Sequence, residues 1–132
     1  MRVTLVPGLT GEATTKVTDA NTAAAVGSGG ITVFSTPMMI ALMENAALRA
    51  VQPHLAEGES TVGTAVNIKH MAATPLGMNV RAVARLETVE GRRLVYTVEA
   101  FDDREKIGEG THERFIIQVE KFLSRVGQKG LS

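Results

Sequence analysis

The sequence predicts an α+β fold, in which one long helix is wrapped by an antiparallel sheet of about five strands. Two observations predict it. The stretch from Thr36 to Pro53 has the composition of a single helix, whereas the residues after Gly58 alternate apolar and polar side chains with the period of strands. One strand, one helix and then a run of strands is the order expected of this class.

Length and charge narrow the possibilities further. A chain of 132 residues suits one domain, taken as 1–132, and its 14 basic residues equal its 14 acidic ones, which disfavours nucleic-acid binding. The absence of cysteine excludes disulfides and thiolate nucleophiles. The N-terminus is a poor signal peptide and no apolar stretch reaches the ~20 residues of a membrane span. We therefore predict a cytoplasmic protein with no membrane contact.

The first elements precede the helix. Gly11 to Thr18 is predicted to be a short strand. Residues 19–30, DANTAAAVGSGG, are small and glycine-rich, which predicts a flexible segment or lid whose alanines could form a helical turn.

The helix has clear signals at both ends. Thr36 is predicted to cap it, Pro37 fits its first turn, and Pro53 ends it. Apolar residues cover nearly the whole circumference, so we expect the helix to be buried rather than to lie on a surface.

The strands follow the helix. The first carries five alternate residues on one expected face: Val62, Thr64, Val66, Ile68 and His70. Two more are centred on Val80 to Leu86 and Leu94 to Ala100, and a last long one runs from near Lys106 to Val119. The tail EKFLSRVGQKG is predicted to be amphipathic or frayed. One helix covers only part of such a sheet, which favours a homodimer or a larger assembly.

Glu44 and His70 are the first candidate functional residues. Glu44 lies among apolar neighbours in mid-helix, where a carboxylate costs several kcal/mol unless it is paired or protonated. Without a catalytic role, Glu44 would be an exposed residue at the polar edge of the helix. Without one, His70 would be a neutral histidine in the core. If both point into one core, they could activate a water or a nucleophile.

Thr36 and Gly63 are two further candidates. Thr36 can cap the helix or orient a substrate carbonyl or a water. It lies ~12 Å along the helix from Glu44, so a shared site needs a bridging substrate or two subunits. Gly63 has two possible roles. It could allow a bulge or a close contact in the strand, or its backbone amide could polarise a thioester carbonyl.

The remaining polar candidates lie in GTHERF and after Pro53. His112 and Arg114 are expected to face solvent or a partner subunit. Arg114 is a candidate for binding a substrate phosphate or carboxylate, although a surface ion pair is the commoner role. His54 is expected to be an exposed end-cap. The three histidines lack metal-ligand spacing, so no metal site is predicted.

These residues lie within a recognisable pattern between about Val33 and Lys129. The matching segments are VFSTPMMIALMENAAL, GESTVGTAVNIKHMAATPLGMNV, VEGRR and IGEGTHERFIIQVEKF. In their order and spacing the chain resembles the hotdog-fold thioesterases of the fluoroacetyl-CoA thioesterase type. The resemblance implies Thr36, Glu44 and His70 as catalytic residues and Gly63 as the amide facing the thioester carbonyl.

The same resemblance implies hydrolysis of an acyl-CoA thioester to a free acid and CoA. It implies no metal and no cofactor beyond the CoA of the substrate, and a dimer whose sheets join edge to edge with sites near the interface. Residues 19–30 lack an aromatic side chain, which favours a more general short-chain acyl group. Three alternatives stay open: a hotdog hydratase, a non-catalytic acyl-CoA or small-ligand binding protein, and a purely structural dimer.

Overall fold

The computed structural model describes residues 4–131. Its elements, in chain order, are β1 (Thr10–Lys16), α1 (Ala23–Val26), α2 (Thr36–Val51), a 3₁₀ turn (Gln52–His54), β2 (Glu59–His70), β3 (Asn79–Glu90), β4 (Arg93–Phe101), β5 (Lys106–Gln118) and α3 (Val119–Lys129). The predicted order of one strand, one long helix and four further strands is confirmed.

The five strands form one antiparallel sheet in the order β1-β3-β4-β5-β2. Among the described residues, the long strand β2 pairs only with β5 and so forms one edge of the sheet. Because an edge strand presents unpaired backbone N–H and C=O groups, β2 is able to accept a further strand.

Helix α2 packs on one face of this sheet. Its buried residues are Met39, Met43, Ala46, Ala47, Ala50 and Val51. They meet alternate residues of β3 and β4, which are fully buried on that side. The expectation that the helix is buried rather than at a surface is met on one side only, because the sheet covers that side and leaves Met38, Ala41 and Asn45 exposed on the other.

The first turn of α2 is capped by Ser35 and not, as predicted, by Thr36. The Ser35 hydroxyl accepts a hydrogen bond from the Met38 amide at 3.2 Å, and Pro37 lies in the first turn. A serine cap satisfies an amide that would otherwise lack a partner. The Thr36 hydroxyl is therefore free to bond elsewhere.

A β-bulge between Gly63 and Ala65 interrupts β2. Before it, Gly63 lies opposite Arg114, and after it Val66 lies opposite His112. Residues directly opposite one another share a face of the sheet, so the extra residue moves the helix-facing positions from odd to even numbers. The prediction that Val62 and Thr64 share a face with His70 is wrong for this reason.

The two short helices lie outside this core. The segment predicted to be flexible forms α1, whose first turn is capped by Thr22 and whose backbone bonds to Ile31 and Val33. The tail forms the amphipathic helix α3, with Phe122, Leu123 and Val126 all at least a third exposed. Within residues 4–131 no helix is long and apolar enough to cross a membrane.

Candidate active site

Thr36 and His70 form one cluster of polar side chains. The Thr36 Oγ1 atom lies 2.7 Å from Nδ1 of His70, which joins the start of α2 to the end of β2. Burial lowers the pKa of His70, with a smaller opposite effect from the backbone of Ala72. The imidazole is therefore neutral near pH 7 and able to accept or relay a proton.

A groove of about 310 Å³ lies beside this pair. Its walls are formed by Ala23, Ser28, Val33, Phe34, Thr36, His70, Met71, Ala72 and Ala73. Most of these side chains are small or apolar, which suits an acyl chain better than a charged group. Two of them, Ala23 and Ser28, belong to the segment predicted to be a lid.

Glu44 lies in a second cluster, in the middle of α2. Its side chain is 41% exposed, and its Oε2 atom lies 3.6 Å from Nη1 of Arg114. A Cβ atom placed on Gly63 would lie only 2.6 Å from the same oxygen. The carboxylate thus rests against the backbone of β2, in a space that exists because residue 63 has no side chain.

His112 and Arg114 complete this second cluster and are 2% and 6% exposed. The prediction that they face solvent or a partner is wrong. Alternate residues of β5 face α2, and these include His112, Arg114 and the buried Ile116, whereas Phe115 points outward. The guanidinium is charged, and its burial is offset by hydrogen bonds and by the nearby carboxylate.

Hydrogen bonds fix both side chains. Arg114 donates from Nε and Nη2 to the hydroxyl and carbonyl oxygens of Thr61, at 2.8 and 2.9 Å, and from Nη1 to Nε2 of His112 at 3.1 Å. His112 donates from Nδ1 to the carbonyl of Ala65 at 2.8 Å, within the bulge. Burial lowers the pKa of His112, so the ring is neutral and acts as a fixed support between the bulge and Arg114.

His112 was not among the predicted site residues. The alternation of β5 indicated that it faces inward, since Ile116 shares the parity of His112 and is apolar.

The remaining histidine, His54, is half-buried, with Nδ1 2.8 Å from Oγ1 of Thr4, and lies in neither cluster. Among residues 4–131 no group of three or more histidine, aspartate or glutamate side chains is arranged to hold a metal ion.

The two clusters lie apart within one chain. His70 is the seventh residue after Gly63 in β2, a distance of roughly 20 Å along an extended strand. Thr36 and His70 are in contact and Glu44 lies against Gly63, but the structure of one chain does not bring all four residues together.

Comparison with known proteins identifies the family. Residues 17–120 match the family described as fluoroacetyl-CoA-specific thioesterase. The chain belongs to this thioesterase family. It is 50% identical over 97 residues to a fluoroacetyl-CoA thioesterase of Streptantibioticus cattleyicolor. The aligned segment covers 74% of this chain and 70% of the relative. The enzyme is therefore an acyl-CoA thioester hydrolase, and the hydratase and purely binding alternatives are not favoured.

Solved structures agree with the hotdog fold of this thioesterase. A fluoroacetyl-CoA thioesterase structure is 40% identical, with a TM-score of 0.88, over 95% of this chain and 97% of that one. A thioesterase superfamily member from Thermus thermophilus is 32% identical with the same TM-score, covering 96% and 93% of the two chains. A hot-dog-like protein from Thermanaerovibrio acidaminovorans, 23% identical over 93% and 91% of the two chains with a TM-score of 0.84, supports the fold alone.

Proposed function

We propose that this thioesterase hydrolyses a small acyl-CoA thioester in a site formed by two subunits of a homodimer. One observation carries the proposal. The edge strand β2 holds Gly63, beside Glu44, toward one end and His70, bonded to Thr36, at the other. Each end of β2 therefore holds two of the four residues to which the resemblance assigns a role in the reaction.

Antiparallel pairing of β2 with its copy would join the two halves. A two-fold axis near Val66 and Asn67, halfway between Gly63 and His70, would bring the partner subunit's His70 close to Gly63. Val66 is 47% exposed in one chain, and such pairing would cover it while satisfying the backbone groups of the edge. The symmetry of a two-fold dimer would create two identical sites.

In this site the Gly63 amide donates to the thioester carbonyl oxygen and stabilises the negative charge that develops there. Arg114, held by Thr61 and His112, keeps the Glu44 carboxylate turned toward that carbonyl. Glu44 then acts either as the nucleophile, through an anhydride that water cleaves, or as the base that takes a proton from an attacking water.

The partner subunit's His70 and the partner subunit's Thr36 would contact the CoA sulfur that leaves and the water that attacks. A neutral imidazole can deliver a proton to the CoA sulfur as the carbon–sulfur bond breaks; in the anhydride route it takes that proton from the water, and in the base route it receives it from Glu44. The products are a carboxylic acid and the free thiol of CoA, and the reaction consumes one water. We propose no cofactor apart from the CoA of the substrate, and a cytoplasmic location remains a prediction.

We propose a short acyl chain as the substrate, without restriction to the fluoroacetyl group named for the relatives. The groove beside His70 is lined mostly by small or apolar residues, and no aromatic side chain occurs in residues 19–30 to close it. A thiol-release screen with acyl-CoAs of increasing chain length tests this. Activity that falls to background beyond acetyl-CoA would contradict a general short-chain substrate.

Subunit complementation tests the composite site. We expect Glu44→Gln and His70→Asn to be inactive when separate and to recover about a quarter of wild-type activity when unfolded and refolded together in equal amounts. Half of the random dimers would then contain both variants, and one of their two sites would be intact. No recovery, with heterodimers demonstrated by native mass spectrometry, would refute the composite site.

The matched control is a mixture of His70→Asn and Thr36→Val. Both substitutions lie in the same half of the site, so neither site of the mixed dimer is intact and no activity returns. The role of Glu44 is tested separately by a single turnover in ¹⁸O-labelled water, in which label entering the Glu44 carboxylate indicates the anhydride route.

A further inference from the structure

The bulge in β2 contains the amide to which the proposed function assigns the thioester carbonyl oxygen. Gly63 lies opposite Arg114 and Ala65 lies opposite Glu113, so Thr64 is the extra residue of the bulge. A bulge interrupts the ladder of backbone hydrogen bonds, and its peptide groups are therefore fixed less firmly than those of a regular strand. The direction of the Gly63 amide thus depends on what else holds the bulge in place.

The Gly63 amide points away from β5. On β5, the Ile116 amide donates to the carbonyl of Arg92, on the side of the strand opposite to β2. Backbone groups alternate in direction along a strand, so those of Arg114 also point away from β2. Gly63 lies opposite Arg114, so its N–H is directed toward the edge of the sheet, on the side where the proposed composite site lies.

Two side chains fix the bulge from the face of the sheet that points away from α2. The Thr64 hydroxyl lies 2.6 Å from Oε2 of Glu113, to which it donates, and 3.2 Å from the carbonyl oxygen of the same residue. The other carboxylate oxygen of Glu113 accepts from Nε of Arg93 at 2.6 Å. The hydrogen bonds from Thr64 and Arg93 lower the pKa of Glu113, which is therefore charged near neutral pH. Charge-assisted hydrogen bonds thus connect the extra residue to β4.

The preceding residue of β5 fixes the bulge from the face of α2. Nδ1 of His112 donates to the carbonyl oxygen of Ala65 at 2.8 Å. Because neighbouring residues of a strand point to opposite faces, His112 and Glu113 bind the bulge from its two sides. Val62, just before the bulge, is paired with β5. The Gly63 peptide group therefore lies between two fixed points.

We propose that Thr64 and Glu113 are positioning residues for thioester hydrolysis, which hold the bulge so that the Gly63 amide faces the thioester carbonyl oxygen. This inference rests on the proposed function. Both side chains lie on the face of the sheet opposite to Glu44, so they act through the backbone and not by contact with the substrate. Their loss should be felt in the transition state, where the carbonyl oxygen carries negative charge.

Kinetics of the variants test the proposal. We expect Thr64→Val and Glu113→Ala each to lower kcat for acetyl-CoA by about 5- to 30-fold, less than the roughly 100-fold loss of a whole oxyanion donor. KM should change by less than about 2-fold, because the affected interaction forms in the transition state. Thr64→Ser keeps the hydroxyl and should retain at least about half of kcat. The Thr64→Val, Glu113→Ala double variant should lose no more than either single variant, because the two side chains act as one unit.

Glu90→Ala is the matched control. Glu90 accepts from the same arginine, Arg93, at 2.6 Å, but it lies at the β3–β4 turn and not at the bulge. If Glu113 contributes only a surface ion pair, the two glutamate variants will behave alike. We expect Glu90→Ala to retain the wild-type kcat. Wild-type kcat in Thr64→Val or Glu113→Ala, equal losses in Thr64→Ser and Thr64→Val, or equal losses in the two glutamate variants would each overturn the proposal.

Amide hydrogen exchange separates this proposal from the proposed hydrolysis. If the wild type hydrolyses no acyl-CoA, the proposed function fails, but exchange of the Ala65 amide, measured by NMR without substrate, still tests the hold on the bulge. We expect this exchange to be at least about 5-fold faster in Thr64→Val and Glu113→Ala, because local opening of the bulge becomes easier. Exchange of the Ala82 amide in β3 should not change. An active wild type whose two variants exchange the Ala65 amide at the wild-type rate would overturn this proposal alone.

Discussion

Substituting alanine for Gly63 tests the proposed geometry at its most crowded point. The new Cβ would lie 2.6 Å from Oε2 of Glu44, against about 3.4 Å for an ordinary contact, so the carboxylate must retreat by about 0.8 Å. A misplacement of about 1 Å can cost roughly 100-fold in rate, and we expect a loss of that order in kcat/KM for acetyl-CoA.

The fold should tolerate this substitution. The methyl group first meets the end of the flexible, half-exposed Glu44 side chain. It next meets Cε1 of His112 at 3.2 Å, where the ring must give by only a few tenths of an ångström, and Gly63 has no positive φ that alanine would resist. The free energy of unfolding should therefore change by less than about 1 kcal/mol, because replacing glycine also restricts the unfolded chain.

A thiol-release assay and a urea titration of each variant measure the two effects. Gly127→Ala, where the structure has open space around the new methyl group, is the matched control and should retain full activity. In a Glu44→Gln background, Gly63→Ala should cause little further loss, because the group that it displaces has already been disabled. If Gly63→Ala keeps more than half of the wild-type activity, the placement of Glu44 against this amide has no catalytic importance.

Three further predictions address assembly, acid stability and acyl range. Val66→Lys places two like charges at the proposed two-fold axis, so analytical ultracentrifugation should show monomers and activity should fall at least about 10-fold; an active dimer would contradict the axis. Burial lowers the pKa of His112, so below pH ~6.5 the unfolded chain binds more protons than the folded chain does. The free energy of unfolding should therefore fall by up to about 1.4 kcal/mol per pH unit as the medium is acidified below that value. His112→Gln should flatten this slope in urea titrations, and an unaltered slope would assign it to other groups. Ala23→Phe narrows the groove beside His70, so kcat/KM should fall at least about 10-fold for hexanoyl-CoA but little for acetyl-CoA; parallel losses would argue against that groove as the acyl site.

The elements were predictable because their signals are local. Proline and good helix formers delimit α2 to within a few residues, and alternation located four of the strands. The shift of the cap from Thr36 to Ser35 is a one-residue error, yet it changes the meaning of Thr36, because its hydroxyl bonds to His70 instead of the backbone.

The face of each strand was less predictable than the strand itself. A bulge adds one residue without leaving a mark on the alternation. The parity of His70, which does face the helix, was therefore extended back past Gly63 to Val62 and Thr64, which lie on the other face. On β5, the apolar Phe115 and Ile117 were taken as the inward face, which left His112 and Arg114 outward. A network involving Thr61 and the Ala65 carbonyl makes their burial possible. Such a network connects distant segments, and no local pattern reports it.

The close contact between β1 and α2 has a consequence for how the acyl range can change. Gly11 lies directly against the helix backbone at Ala46 and Ala50, where even a methyl group would collide. A backbone packed this tightly resists sliding and turning, so the Glu44 carboxylate, less than two turns from both contacts, is held at one position along the sheet. A change in the range of acyl groups accepted must therefore arise in the groove lining outside this helix, in residues 23–34 or 71–73, where side chains can grow without displacing the helix.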